Sequence, residues 1–126
     1  MRLNQVTVGC TDYYASCAFY RTLGLSQIVD APPRYARFET GHGETFSIHL
    51  TDKVMDAATV VYFEFEELDQ AVDRLKEAGL IFTTEPADMD WGWREARLHD
   101  PAGNQICLFH AGTYRRFPPW RLAAAE

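Results

Sequence analysis

The chain has 126 residues, 47% of them hydrophobic, enough for one domain with its own core but small enough to gain from pairing with a second copy. Twelve basic and 18 acidic side chains give a formal charge of −6, which argues against a nucleic-acid surface and favours neutral or cationic ligands. No apolar stretch approaches the about 18 residues of a membrane span, and Met1-Arg2-Leu3-Asn4-Gln5 lacks the pattern of a cleaved leader, so no membrane partner is expected.

In chain order, Val6 and Val8 alternate with Gln5 and Thr7, the pattern of a half-buried strand. Asp12 can then cap a helix in which Tyr13, Cys17 and Tyr20 share a face, and Gly24 ends it. Extended runs bounded by turn residues follow at Ser26 to Asp30, Tyr35 to Glu39 and Thr45 to Thr51. Lys53 to Ala58 reads as a linker. Val61 and Phe63 then alternate again, Leu68, Val72 and Leu75 form a helical stripe closing at Gly79, and strands are expected at Ile81 to Thr84, Arg94 to His99 and Gln105 to Phe109.

The second set repeats the first. A shift of 55 positions lays Val6 and Val8 on Val61 and Phe63, the helical triplet on its counterpart, and Gly24-Leu25 on Gly79-Leu80. A shift of 58 lays Ile48-His49-Leu50 on Ile106-Cys107-Leu108. Both halves therefore read β-α-β-β-β, each too small to bury a core alone. The paired prolines at Pro118-Pro119 prevent a regular helix in the tail from Tyr114 to Arg121. That tail is expected on the surface, with Phe117 and Trp120 either simply packed there or covering the mouth of a site.

Cys10, Cys17 and Cys107 are odd in number and lie in apolar stretches, which fits core residues in a reducing cytoplasm better than a disulfide framework. Asp100-Pro101-Ala102-Gly103-Asn104 is a tight-turn sequence leading into the last strand. Arg94, Glu95 and Arg97 read as a mixed charged strand face, solvated or in a weak surface ion pair, and His42 and His99 as turn residues. No phosphate-cradling glycine loop, nucleophile elbow or dinucleotide fingerprint is present.

Three motifs, Ser16-x-x-Phe19-Tyr20-x-x-Leu23-Gly24-Leu25, Trp91-Gly92-Trp93-Arg94 and the Asp100 to Asn104 turn, together resemble the glyoxalase / bleomycin-resistance / extradiol-dioxygenase superfamily, the vicinal-oxygen-chelate group. The resemblance runs over roughly residues 1 to 110. It implies an α+β fold in which two β-α-β-β-β modules form a curved mixed-sheet cup: a single domain over 1–126, with module one at 1–52, module two at 59–110 and a C-terminal tail at 111–126. It also implies a homodimer.

In metal-dependent members that the chain resembles, the matching motifs put the ligands at Gln5, His49, Val60 and Cys107. Val60 cannot ligate, and Cys107 stands where those members place a glutamate that serves as ligand and base. Gln5, His49, Val60, Cys107 and Trp93 are therefore expected to line a ligand site, with no resident metal and no catalytic residue assigned. His49 could hydrogen-bond within the site floor, recognise a polar ligand group or hold a metal; Trp93 could line a groove or pack in the core. The expected function is binding of a small hydrophobic or aromatic molecule, after the bleomycin-resistance branch. The alternative is a divergent glyoxalase-type lyase or isomerase with one divalent metal such as Zn²⁺ held by Gln5, His49 and Cys107.

Overall fold

A computed structural model describes residues 1–54 and 58–123; of the expected linker, residues 55–57 lie outside the described residues. Two similar modules each pair a four-stranded mixed sheet with one helix, an α+β fold.

In the first module β1 (Gln5–Cys10) leads into α1 (Tyr13–Leu23), then β2 (Ser26–Ala31), β3 (Tyr35–Glu39) and β4 (Thr45–Leu50). Asp12 caps α1 by accepting from the Ala15 amide at 3.1 Å, and Gly24 closes it at φ 124°. The sheet order is β1-β4-β3-β2, with β1 parallel to β4 and the other pairs antiparallel. Because side chains alternate across a sheet, Val8, Cys10, Ala36, Phe38, Phe46 and Ile48 fall on one face. All are buried, as are Tyr13, Cys17, Tyr20 and Leu23 of α1, so the helical stripe and this face form the module's core.

The second module carries β5 (Val60–Glu64), α2 (Leu68–Glu77), β6 (Ala87–Asp88), β7 (Arg94–His99) and β8 (Gln105–His110), in the order β5-β8-β7-β6. Leu68, Ala71, Val72 and Leu75 of α2 are buried together with Ala96, Leu98, Ile106 and Leu108. One expected strand is absent. Residues 81–84 make a single bridge, Phe82 to Leu98, and β6 forms later and is two residues long. Thr84 explains the interruption: its hydroxyl takes the Arg97 amide at 2.9 Å, while both the Thr83 and Thr84 amides converge on the Arg97 carbonyl. A side chain has replaced a rung of the ladder, and Pro86 removes the next donor but one.

The chain divides into two compact units: residues 1–60 with 99–105, and residues 61–98 with 106–123 among those described. The turn between β7 and β8 thus joins the first unit, a boundary the module plan does not anticipate. Its anchor is Asp100, 5% exposed, which accepts from the Tyr20 hydroxyl at 2.5 Å, from the Ala102 and Asn104 amides at 2.9 Å each and from the Asn104 carboxamide at 2.8 Å. Asn104 also donates to the Gly9 carbonyl at 2.8 Å. Gly103 makes the reversal possible at φ 93°.

After β8 the tail makes one 3-10 turn, Gly112–Arg115, whose first amides are held by Glu64: Ala111 and Gly112 donate to its Oε2 at 2.7 and 3.0 Å. The Tyr114 ring lies where a side chain at Gly92 would be, with a Cβ there only 2.2 Å from the ring. Arg116 and Arg121 lie over the Phe117 ring at 5.1 and 4.7 Å. Phe117 and Trp120 are more than half exposed.

Candidate functional site

The face of the first sheet opposite α1 is organised in three polar rungs. Strand register aligns Gly9, His49 and Tyr35; then Thr7, Ser47 and Arg37; then Gln5, Thr45 and Glu39. The middle rung is tightly bonded, with Thr7 and Ser47 hydroxyls at 2.5 Å and Arg37 Nε donating to the Tyr35 hydroxyl at 2.8 Å. Burial raises the Tyr35 phenol, but its bonds to Ser47 and Arg37 prevail and lower it. Gln5 closes the far rung, its carboxamide oxygen accepting from Thr45 at 2.8 Å. At the near end a cavity of about 270 Å³ opens beside His49, lined also by Thr7, Gly9, Thr51, Lys53 and Asn104. His49 is exposed there.

The corresponding face of the second sheet is aromatic over a charged centre. Trp93 stacks on Phe109 with ring centroids 4.6 Å apart and planes 17° from parallel. Tyr62 meets both rings edge-on, at 6.1 and 5.7 Å. Phe109 is buried, Trp93 half-buried and Tyr62 45% exposed, so the stack is rooted in the sheet and open at its rim. On the same side of the strand lies Glu95, 2% exposed, which accepts from the Trp91 indole at 2.9 Å and from Arg97 at 3.3 Å. Cys107 shares this region. Burial pushes its thiol up to about 12, and the facing Glu95 carboxylate adds to the rise.

Glu95 corrects the sequence expectation. Alternation puts Glu95 and Arg97 on the Trp93 side of β7 and Arg94 on the other; the Glu95 side chain is 3% exposed, whereas those of Arg94 and Arg97 are 36% and 35% exposed. Arg94 makes a bidentate pair with Asp69, Nε to Oδ1 at 2.8 Å and Nη2 to Oδ2 at 2.9 Å. The parity of Trp93, Glu95 and Arg97 was the available signal, since it puts the carboxylate on the same side of the strand as a large aromatic ring.

The sequence profile of the Glyoxalase/Bleomycin resistance protein/Dioxygenase superfamily matches residues 2–108. The chain belongs to this superfamily. Among solved structures, a glyoxalase/bleomycin resistance protein/dioxygenase from Nocardioides is 23% identical, with a TM-score of 0.77 over 98% of this chain and 90% of that one. Lactoylglutathione lyase from Agrobacterium tumefaciens is 18% identical, with a TM-score of 0.69 over 86% and 92%. TioX from Micromonospora sp. ML1 is 20% identical, with a TM-score of 0.72 over 88% and 99%. At these identities the likeness is one of fold. No curated protein sequence matches the chain.

Within the glyoxalase-like fold, the positions that the resemblance assigns to a metal are distributed as follows. Gln5 and His49 share a face, but the Thr7–Ser47 rung stands between them; four residues of strand separate their rungs by about 13 Å. Val60 begins β5 and carries no donor atom. Cys107 is fully buried beside Glu95 and Arg97. Among the described residues no group of three or more His, Cys, Asp or Glu side chains is placed to hold a metal ion. Of the five residues expected to line a site, Gln5 and His49 lie on the polar face of the first sheet, Val60 begins β5, and Trp93 and Cys107 lie in the second module; the sequence reading does not place Glu95, Lys53 or Tyr62 at a site.

Proposed function

We propose that this glyoxalase-superfamily protein binds a small hydrophobic or aromatic molecule on the aromatic face of its second sheet and sequesters it without metal catalysis. The observation that carries the reading is the Trp93–Phe109 stack, with Tyr62 edge-on and the rim open. An exposed, pre-formed aromatic ledge offers a flat ligand a stacking partner at little ordering cost. Arg97, with its side chain 35% exposed, lies over the Tyr62 ring at 6.0 Å and supplies a polar group that fixes a ligand's orientation.

The donors at the four metal positions do not fit a divalent ion, which supports the metal-free reading. Val60 has none, the Cys107 thiol is held protonated at neutral pH, and the Gln5 oxygen is engaged by Thr45. We also propose a homodimer, and a cytoplasmic location supported by three free, buried thiols.

Titration with a flat cationic dye such as ethidium, followed by tryptophan fluorescence, tests the binding reading. Saturable quenching is expected, and Trp93→Ala should remove most of its amplitude and weaken affinity several-fold, stacking being worth about 0.5–1.5 kcal/mol. Quenching of the same amplitude and midpoint in folded Trp93→Ala overturns the assignment of the ledge.

A further inference from the structure

The geometry points to a second binding site, independent of the aromatic ledge: the cavity beside His49 in the first unit takes the carboxylate of a small organic monoanion. Three observations converge there. First, the cavity exists because position 9 has no side chain; a Cβ on Gly9 would lie 2.8 Å from Thr51 Cγ2 and 3.5 Å from Val54 Cγ2. Second, the Gly9 backbone is fixed from outside by Asn104 Nδ2 on its carbonyl, so the space is built into the turn that completes this unit. Third, the lining includes Lys53 and His49, and among the described residues neither side chain makes a hydrogen bond or an ion pair.

Among the described residues no carboxylate pairs with the Lys53 ammonium, which is notable in a chain of net charge −6. Lysine offers up to three N–H donors, and either neutral histidine tautomer offers one more. Such donors match a carboxylate, whose bonds to charged groups are about twice as strong as neutral ones. The single lysine fits a monoanion better than a phosphate dianion. Val54 and the Thr51 methyl supply an apolar wall for a short carbon stem, and a volume of about 270 Å³ admits a molecule of a few heavy atoms.

Isobutyrate is a suitable probe, read by the ¹H–¹³C correlations of the histidine rings with the His49 signal assigned through His49→Gln. A saturable shift confined to His49 is expected, with a midpoint of about 1–10 mM for so small a ligand. Lys53→Met should weaken it at least tenfold, Lys53→Arg should retain it, and Gly9→Val should abolish it by filling the cavity. The neutral isostere isobutyramide should give no shift. No saturation with isobutyrate, an equal response to isobutyramide, or a midpoint unchanged in Lys53→Met each overturns the proposal; so does binding of inorganic phosphate with isobutyrate silent. If Gly9→Val does not fold, the exposed Lys53 substitutions still decide the question.

Discussion

Cys107 illustrates how one residue's environment sets its chemistry. Its thiol is raised from an ordinary 9.0 to about 12 by burial and by Glu95, and burial also raises Cys10 and Cys17. The consequence for stability has a definite sign. Below pH 9 each thiol is protonated whether the chain is folded or not, and titration contributes nothing. Between 9 and 12 the unfolded chain releases the Cys107 proton and the folded chain keeps it, so stability falls, by up to about 1.4 kcal/mol per pH unit for each such group. Urea midpoints should therefore be level from pH 7 to 8 and decline above 9, less steeply in Cys107→Ala. An equal decline in that variant removes Cys107 from the account. The same burial makes Cys107 resistant to alkylation in the folded protein, because the thiolate is the reactive form.

Among the elements, the β7–β8 turn has the clearest energetic role. Asp100→Ala would strand the fully buried Tyr20 hydroxyl and release two backbone amides and the Asn104 carboxamide, a loss of about 3–5 kcal/mol. Tyr20→Phe removes one arm of the cluster and should cost about 1–2 kcal/mol. A double-mutant cycle by urea denaturation checks the coupling; additive losses would mean that the hydroxyl and carboxylate act separately. The elements themselves were largely legible. The period-2 and helical patterns located α1, α2, β3 and β7, because at those positions local preference and burial agree. Residues 81–84 misled because an apolar, β-branched run was read without the side-chain competition of Thr84. The candidate site was less legible: Trp93 lies in the Trp91-Gly92-Trp93-Arg94 motif and His49 is reached through the internal repeat, whereas Glu95 is defined by what stands across the sheet from it, and Lys53 by the space that Gly9 leaves.

For the whole molecule, the expectation is a dimer with no stoichiometric metal. Sheets that end in edge strands β1 and β2, or β5 and β6, leave backbone groups that a second copy can cover. Light scattering at tens of micromolar should give about twice the chain mass, and a strictly monomeric value that persists on concentration opposes the shared-edge arrangement. Elemental analysis after dialysis should find well under one divalent ion per chain. Paired with a hemithioacetal assay in added Zn²⁺, Ni²⁺ or Mn²⁺, it separates the two functional classes: about one ion per chain, with turnover abolished by chelation, would establish the lyase reading and overturn the sequestration one.

The first unit is built from two stretches of chain that are far apart in sequence, and the β7–β8 turn supplies the second. This sets an order of events on the ribosome. When residues 1–60 have emerged, Tyr20 already belongs to an apolar helix face, but the acceptor for its hydroxyl has not been made, and the Gly9 carbonyl lacks its donor. The first unit is complete only when residues 99–105 are present, so a chain truncated within α2 should be cleaved by protease faster over residues 1–54 than the full chain is.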